Sequence, residues 1–209
     1  MRQREPMKAN KLFLASSNPG KLREYVELAR GSGFVIELLP RFGEFPSFEE
    51  SAPTFAENSA GKALHYSRFT DEAVLADDSG LVVDALGGAP GVFSARYAGP
   101  GVSDADRVHK LLQEMCGKAG AERRARFVCV TAVARAGRAI AVVSDLATGA
   151  LTEEPRGAGG FGYDPIFLFA ELGRTYAELT SEEKNAYSHR GKAFRKLLYM
   201  IAPDNVAPS

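Results

Sequence analysis

The sequence predicts an α/β fold built around a mixed β-sheet. Segments with strand and helix character alternate through the N-terminal half, which is typical of strands connected by crossover helices. Further along, two apolar segments at 127–134 and 139–144 are joined by the short turn Ala136-Gly137-Arg138, a pattern that favours an antiparallel hairpin. Because the chain combines crossover helices with a hairpin, we expect parallel and antiparallel strands in one sheet.

The helices of the N-terminal half have recognisable start signals. Asn18 is a favoured N-cap and Pro19 fits the first helical position, so a helix is predicted to begin there and to end at Gly31-Ser32-Gly33. Thr54 and Glu57 have the spacing of a capping box and begin the second helix. The predicted elements are a strand at 11–15, this first helix, a strand at 34–39, the second helix from 55 to about 69, and a strand at 73–76 that ends at Asp77-Asp78-Ser79-Gly80. Residues 81–86 are predicted to be either extended chain or a second strand.

The C-terminal half continues the mixed pattern. Val108, Leu111 and Met115 recur on one side of a predicted helix. A later helical region is interrupted near Ser188, where we expect one helix to end and another to begin. The predicted elements here are a helix at 103–115, the two hairpin strands, a short strand at 151–156, a strand at 165–169 and the interrupted helical region at 181–201.

The composition is ordinary for a globular protein and excludes several classes. The 209 residues include 26 basic and 26 acidic side chains, so no broad positive field is available for binding a nucleic-acid duplex. Cys116 and Cys129 lie far apart, which excludes a disulfide scaffold and suits a reducing cytoplasm. No apolar run approaches the roughly 18 residues that cross a bilayer. We therefore expect a cytoplasmic protein without nucleic-acid or membrane partners, with one domain at 11–202 between flexible residues at 1–10 and 203–209.

The strand-to-helix junction at residues 16–21 has the properties of a phosphate-binding loop. Such a junction directs free backbone N–H groups and the positive end of the helix at whatever lies beyond the strand. The sequence Ser16-Ser17-Asn18-Pro19-Gly20-Lys21 adds hydroxyl, amide and ammonium donors at the same place. It lacks the GxxxxGK[ST] spacing of a P-loop. A plain capped helix with a surface lysine is the structural alternative.

Two adjacent carboxylates follow the predicted strand at 73–76. Ligands of open α/β sheets collect beyond the carboxyl ends of strands, so Asp77 and Asp78 are candidates for binding magnesium or acting as a general base. Side chains alternate along extended chain, so we expect the two to face opposite ways and only one to enter the site. The pattern does not say which. Because Asp, Ser and Gly also form turns, a simple turn is the alternative.

Three other segments carry weaker signals, each with a structural alternative. Glu57 is a candidate metal ligand, but it also occupies the N3 position of the predicted capping box. The glycine-rich loop at 159–164 presents two aromatic rings that can stack on a nucleobase or complete the core. His189 and Arg190 follow Ser188 at a helix start, where cations are disfavoured unless a ligand explains them. Phosphate donors, paired carboxylates, an aromatic loop and a cationic cluster together describe a nucleoside triphosphate site.

The order of these motifs matches a known family. The chain resembles the inosine triphosphate pyrophosphatases, also called non-canonical purine nucleoside triphosphate (dITP/XTP) diphosphatases, over nearly its whole length. The matching segments are Ser16-Ser17-Asn18-Pro19-Gly20-Lys21, Phe55-Ala56-Glu57-Asn58, Ala76-Asp77-Asp78-Ser79-Gly80-Leu81, Gly87-Gly88-Ala89-Pro90-Gly91, Ser94-Ala95-Arg96-Tyr97, Gly159-Gly160-Phe161-Gly162-Tyr163-Asp164-Pro165, Ala177-Glu178-Leu179-Thr180, Glu183-Lys184-Asn185 and Ser188-His189-Arg190-Gly191.

The resemblance implies an elongated two-lobed fold with a central nucleotide-binding cleft, and usually a homodimer. It implies hydrolysis of ITP, dITP and XTP to the monophosphate and pyrophosphate with Mg²⁺ as cofactor. This activity removes the purine nucleotides from the pool before they are incorporated into DNA and RNA.

The resemblance also implies roles for individual residues. Asp78 would be the catalytic carboxylate and a metal ligand, with Glu57 as the second acidic group near the metal. Ser79 would touch the substrate, and Lys62 would lie on the phosphate side. The triphosphate would be held by Ser16, Ser17, Asn18, Pro19, Gly20 and Lys21, and the base by Phe161, Gly162, Tyr163, Asp164, Lys184, His189 and Arg190.

Two positions depart from the family pattern, and two rival functions remain to be weighed. Ser17 stands where glycine is common and Ser59 where alanine is usual.

Maf-like nucleotide pyrophosphatases share the fold type but act on other bases, and the Ser188-His189-Arg190 segment argues against them. A nucleotide- or RNA-binding module without catalysis is the other rival. The presence of both Glu57 and Asp78 argues against it, because a pure binder has no need of both.

Overall fold

The computed structural model describes residues 10–201. Residues 1–9 and 202–209, which include most of the predicted flexible ends, lie outside the described residues. The strands are β1 (Asn10–Leu14), β2 (Phe34–Leu38), β3 (Ala73–Val83), β4 (Arg124–Arg135), β5 (Arg138–Leu151), β6 (Phe167–Phe169) and β7 (Arg174–Thr175). The α-helices are α1 (Pro19–Leu28), α2 (Phe55–Tyr66), α3 (Asp104–Glu114), α4 (Ser181–Tyr187) and α5 (His189–Ile201).

The seven strands form one mixed sheet, as predicted. Their order is β2-β1-β3-β4-β5-β6-β7. β1 pairs in parallel with β2 and with β3, whereas every pair from β3 to β7 is antiparallel. The hairpin of β4 and β5 turns at Ala136 and Gly137, both with positive φ, which matches the strand twist of a tight hairpin. The α/β class and the mixed sheet are therefore confirmed.

β3 corrects the prediction that a strand ends at Asp77. The strand is continuous, and Asp77, Asp78 and Ser79 pair with Thr131, Val130 and Cys129 of β4. Turn-forming residues adopt an extended conformation here because a neighbouring strand supplies their backbone hydrogen bonds. A second prediction was also wrong: β5 ends at Leu151, and residues 152–156 are not a strand.

Apolar packing divides the sheet into two ends. At one end, alternate residues of β1 face opposite sides: Leu12 and Leu14 pack with α1 and α5, while Phe13 and Ala15 pack with α2. A separate core at the other end contains Leu81 and Val83 of β3 together with apolar residues of α3, β4 and β6. The four residues from Asp77 to Gly80 lie on β3 between these cores.

The helix boundaries follow local signals closely. Asn18 caps α1, Thr54 caps α2 and Ser103 caps α3 through side-chain oxygens that accept backbone N–H bonds. Ser188 is extended and separates α4 from α5, which confirms the predicted interruption. Among residues 10–201, no helix combines the length and the apolar character that crossing a membrane requires.

Candidate active site

A cavity opens between the two cores, beside the centre of β3. The parallel strand β1 ends at Leu14 opposite Leu75, while β3 continues for eight further residues along β4. The cavity therefore lies beyond the carboxyl end of β1, where α/β folds collect ligands. It encloses about 690 Å³ including its open mouth. It is lined by Asn18, Lys21, Glu50, Asp78, Ser79, Gly80, Ser94, Ala95, Asp104, Arg107, Phe127, Phe161, Gly162, Tyr163, Asp164, Lys184, His189 and Arg190.

The first turn of α1 forms one wall of the cavity. Asn18 accepts hydrogen bonds from the backbone N–H of Gly20 (2.8 Å) and of Lys21 (3.1 Å), and its own N–H donates to Ser16 Oγ (3.1 Å). The helix thus begins at a fixed point with its positive end beside the cavity. The ammonium of Lys21 lies 2.9 Å from the Asp77 carboxylate.

Asp77 is fully buried and points away from the Asp78 side of the strand. Its carboxylate contacts Lys21, and its Oδ2 accepts from Arg190 Nη2 at 3.2 Å and from Nε at 3.4 Å. Burial would raise the pKa of Asp77, but Lys21 and Arg190 outweigh burial and hold that pKa well below its usual value. Asp77 is therefore an ionised partner for two cations.

Arg190 and Lys184 share a buried carboxylate from α1. Glu24 Oε2 accepts from Arg190 Nη1 at 2.5 Å, and Glu24 Oε1 lies 2.6 Å from the Lys184 ammonium. Lys184 also pairs with Asp164. Burial opposes ionisation of Glu24, yet the two cations lower its pKa. Each charge in this part of the cavity wall is consequently matched by an opposite one.

Asp78 faces the α2 side of β3 and has a different environment. Its Oδ2 accepts a hydrogen bond of 3.0 Å from the buried amide of Asn58. Glu50, half-buried on the loop before α2, also lines the cavity and pairs with Lys62. Burial, reinforced by the negative charge of Glu50, raises the pKa of Asp78 to about 6. Asp78 is therefore a carboxylate whose basicity is increased at the cavity wall.

The glycine-rich loop forms the opposite wall. Phe161 lies over two cations, with its ring centroid 4.8 Å from Lys184 Nζ and 5.5 Å from Arg190 Cζ. Asp164 Oδ2 accepts the backbone N–H of Phe161 (2.8 Å), and Tyr163 donates its hydroxyl hydrogen to the carbonyl of Ser94 (2.9 Å). The face of Phe161, the ammonium of Lys184 and the guanidinium of Arg190 are thus held close together.

His189 is a neutral imidazole at the base of the cavity. Its ring is stacked on Phe127, with centroids 4.6 Å apart and planes 8° from parallel. Burial, together with the nearby cations Arg190 and Lys184, lowers the pKa of His189 well below its usual value. Its buried Nδ1 has no hydrogen-bond partner among residues 10–201. A neutral imidazole carries one donor and one acceptor nitrogen, so His189 brings a polar edge to an otherwise aromatic part of the cavity lining.

Comparison with known proteins identifies the family. The family model described as the Ham1 family matches residues 12–200. The chain belongs to the Ham1 family. It is 50% identical over 186 residues to the dITP/XTP pyrophosphatase of Geobacillus kaustophilus, covering 89% of this chain and 91% of that protein. It also superposes on the HAM1 protein of Coxiella burnetii with a TM-score of 0.81 and 41% identity, over 92% of this chain and 98% of that one.

A second solved structure agrees with these matches. The nucleoside-triphosphatase / dITP/XTP pyrophosphatase of Mycobacterium abscessus gives a TM-score of 0.69 at 40% identity, over 91% of this chain and 99% of that one. The resemblance inferred from the motifs is thereby confirmed at the level of the family.

The Ham1 structure brings most of the candidate residues together. Asn18, Lys21, Asp78 and Ser79 line one side of the cavity, while Phe161 to Asp164, Lys184, His189 and Arg190 line the other. Ser16, Pro19 and Gly20 belong to the same capped turn. Lys62 is buried and reaches the cavity through its pair with Glu50. Ser17 is exposed beside the turn, and the unusual Ser59 donates to the carbonyl of Ala76 in the core (3.2 Å).

Glu57 is the exception among the candidates. It is exposed, its backbone N–H donates to Thr54 Oγ1 (3.2 Å), and its Oε2 accepts from that hydroxyl (2.6 Å). Both contacts belong to the start of α2, and Glu57 does not line the cavity. Among residues 10–201, no cluster of three or more His, Cys, Asp or Glu side chains could hold a metal by itself.

Three residues that contact the candidate site residues were not predicted from the sequence. Glu24 has the appearance of a solvated helix residue, Glu50 lies in an irregular loop, and Asn58 follows a capping glutamate. For Asn58 the sequence contains one signal. It is a polar residue at a position of α2 where the helical periodicity predicts a side chain that faces the interior. For Glu24 and Glu50 the partners are distant in sequence, so no local signal exists.

Asp77→Asn should destabilise the fold strongly. The substitution keeps the shape of the side chain but removes the charge shared by Lys21 and Arg190, and an uncompensated buried charge typically costs about 3–5 kcal/mol. Asp84→Asn is a matched control, because Asp84 pairs with Arg126 at the exposed surface, where ion pairs contribute about 0–1 kcal/mol. We expect a large drop in Tm for the first variant and almost none for the second.

The pH dependence of that difference has a defined sign. The folded-state pKa of Asp77 lies below its ordinary 3.8, so its stabilisation is complete above about pH 4 and is lost as the pH falls further. The Tm difference between wild type and Asp77→Asn should therefore be constant near neutrality and shrink in acid. A difference that persisted unchanged in strong acid would contradict the ion-pair account.

Proposed function

We propose that the chain hydrolyses ITP, dITP and XTP to the nucleoside monophosphate and pyrophosphate, as an enzyme that removes these purine nucleotides from the pool. Relatives named dITP/XTP pyrophosphatases, about 50% identical over most of the chain, support this activity. One structural observation carries the proposal. A single cavity collects a helix N-terminus with a lysine, a carboxylate with a raised pKa, and an aromatic ring beside two cations.

The wall formed by α1 suits the triphosphate. The positive end of the helix and the ammonium of Lys21 are donors for phosphate oxygens. Hydrolysis at the α-phosphorus releases pyrophosphate, whose developing charge these same groups are placed to stabilise. Lys62, buried near Asp77 and Asp78, supplies a further cation on this side.

Asp78 is the group that we assign to the proton transfer. Burial and the charge of Glu50 raise its pKa to about 6 in the metal-free protein, so the carboxylate is a stronger proton acceptor than an ordinary aspartate. Asn58 fixes the orientation of the carboxylate by donating to Oδ2, and the second oxygen, Oδ1, takes no part in that bond. Asp77, by contrast, is paired with Lys21 and Arg190, and these two cations hold its pKa too low for this role.

The donor set on the α2 side fits magnesium. Asp78 and Glu50 offer carboxylate oxygens to the same cavity, and Mg²⁺ is typically held by one or two carboxylates together with substrate phosphates and water. Burial, with a smaller contribution from the charge of Glu50, raises the pKa of Asp78, and a cation bound between the two carboxylates would relieve their repulsion. Bound there, Mg²⁺ would neutralise phosphate charge. We propose Asp78 and Glu50 as its protein ligands, and a capping role for Glu57.

The cations opposite are arranged to recognise an oxygen on the base. Arg190 makes four hydrogen bonds from its five N–H groups, to Asp77, Glu24 and Ser79, which leaves one N–H. Lys184 uses two of its three for Glu24 and Asp164. Lys and Arg can only donate hydrogen bonds. They therefore match the 6-oxo group of hypoxanthine or xanthine, which accepts, and are mismatched with the 6-amino group of adenine, which donates. The argument does not exclude guanine, which also carries a 6-oxo group.

We further propose a homodimer in the cytoplasm, with residues 11–202 as one domain. The family resemblance supports the dimer. Both cysteines are free thiols in the described structure, which suits a reducing compartment.

Asp78→Asn should abolish most activity without unfolding the protein. Pyrophosphate release from ITP should fall by about 10²-fold or more if Asp78 accepts the proton or holds magnesium. The melting temperature should hold or rise, because burial already disfavours the charged form and an amide oxygen can still accept from Asn58. Near-normal turnover in this variant would refute the assignment.

Magnesium titration should distinguish Glu50 from Glu57. Glu50→Gln is expected to raise the magnesium concentration for half-maximal pyrophosphate release by about tenfold, because one carboxylate ligand is lost. Glu57→Gln removes the same charge nearby but keeps a side chain that can complete the cap of α2, so its curve should match that of wild type. The reverse result would assign the metal to Glu57.

Base selection should depend on the guanidinium of Arg190. Alanine at this position would strand Asp77 and Glu24, so the informative change is Arg190→Lys, which keeps the charge but loses the planar fork. We expect kcat/KM for ITP to fall about tenfold or more, and that for ATP to fall much less. Arg195→Lys, on the exposed side of the same helix, should change neither. An equal loss for ITP and ATP would assign Arg190 to the phosphates.

A further inference from the structure

The loop that carries Phe161 is rich in glycine. Gly157, Gly160 and Gly162 all have positive φ, and Gly159 lies between them. A backbone with so many glycines has a large conformational freedom to lose when it becomes ordered. Inside the loop, Asp164 Oδ2 accepts the N–H of Phe161 (2.8 Å), and contacts from outside the loop add to this bond in placing the ring.

Besides the contacts of Tyr163 with Ser94 and of Asp164 with Lys184, two backbone N–H groups of the loop bond to residues outside it. On the side of β7, the N–H of Gly159 donates to the carbonyl of Ala177 (3.0 Å). On the side of α3, the N–H of Gly162 donates to Asp104 Oδ2 at 2.6 Å. Gly162 directly follows Phe161, so the α3 contact lies one residue from the ring. A hydrogen bond to a carboxylate is roughly twice as strong as one between neutral groups.

Asp104 is held firmly enough to act as an anchor. It is the first residue of α3, a helix whose Val108 and Leu111 are buried in the core at that end of the sheet. Its other oxygen pairs with Arg107, one turn further along. Arg107 Nη1 in turn donates to the carbonyls of Val102 (2.8 Å) and Ala95 (3.1 Å). The carboxylate thus connects the start of α3 directly to the glycine-rich loop.

We propose that Asp104 is a positioning residue for base recognition, acting through the N–H of Gly162 to hold Phe161 over Lys184 and Arg190. The inference rests on the proposed function, because it assumes that the purine base binds against this loop. Asp104 lies in α3, whereas the phosphate side of the cavity is formed by α1 and β3. Loss of Asp104 should weaken binding of the base and leave binding of the phosphates unchanged.

The test compares the two products of the proposed reaction, of which only one carries the base. Binding of IMP, which carries the base, and of magnesium pyrophosphate, which carries none, is measured by calorimetry on wild type and Asp104→Ala. We expect the Kd of IMP to rise about tenfold and that of pyrophosphate to stay within twofold. In steady-state assays, KM for ITP should rise while kcat changes little.

Asp106→Ala provides a matched control in the same helical turn. Asp106 accepts from the N–H (3.0 Å) and the hydroxyl (2.6 Å) of Ser103 in the capping box of α3, and it is exposed. Its loss weakens the helix start without touching the loop, so the melting temperature should fall while IMP binding is unchanged. If Asp106→Ala weakened IMP as much as Asp104→Ala does, a general effect on α3 would replace the positioning role.

Asp104→Asn keeps the test decisive if the alanine variant is poorly folded. The amide oxygen can still accept from Gly162, so this variant should recover most of the IMP affinity although it loses the pair with Arg107. Equal weakening of IMP and pyrophosphate, or unchanged IMP binding in Asp104→Ala, would overturn the inference. The proposed function fails separately, if wild type releases no pyrophosphate from ITP.

Discussion

One buried chain of alternating charges holds the site together. Three cations and three anions follow one another, each within ion-pair distance of the next, so the chain as a whole is neutral. Buried charges are tolerated only when they are paired, and removing one member leaves another uncompensated. The chain links α1, β3, α5, α4 and the glycine-rich loop, so these elements can pack in only one relative arrangement. In order, its members are Lys21, Asp77, Arg190, Glu24, Lys184 and Asp164.

This series of alternating buried charges explains why the cavity lies between two apolar cores rather than inside one. The cores end where β3 changes from Leu75 and Ala76 to Asp77, and they resume at Leu81. Polar residues in that interval need partners, and the helices on the α1 side supply them. The remaining N–H groups of the cations then have fixed directions before any ligand arrives. Preorganised donors of this kind need no rearrangement when charge develops on a substrate.

The parts of the structure that could be predicted from the sequence depend on local signals. Asn18, Thr54 and Ser188 mark helix boundaries because capping involves residues only a few positions apart. The continuity of β3 could not be predicted, since its hydrogen-bond partners belong to β4, about fifty residues later. Glu24 was missed for the same reason. It is a buried ion-pair partner only because folding brings it to Arg190, 166 residues further along the chain.

Asp77 and Asp78 are neighbours on one strand, yet one is an ion-pair partner in the fold and the other is available to a ligand in the cavity. Adjacent residues of an extended chain face opposite sides, so the two carboxylates enter different environments without any change of backbone. On one side Lys21 and Arg190 lower the pKa of Asp77, and on the other burial and Glu50 raise that of Asp78. Carboxylates whose environments separate their pKa values take separate roles. Asp77, whose charge is balanced by cations, stabilises the fold, and Asp78, beside the negative charge of Glu50, is the carboxylate that we propose binds the metal and accepts the proton.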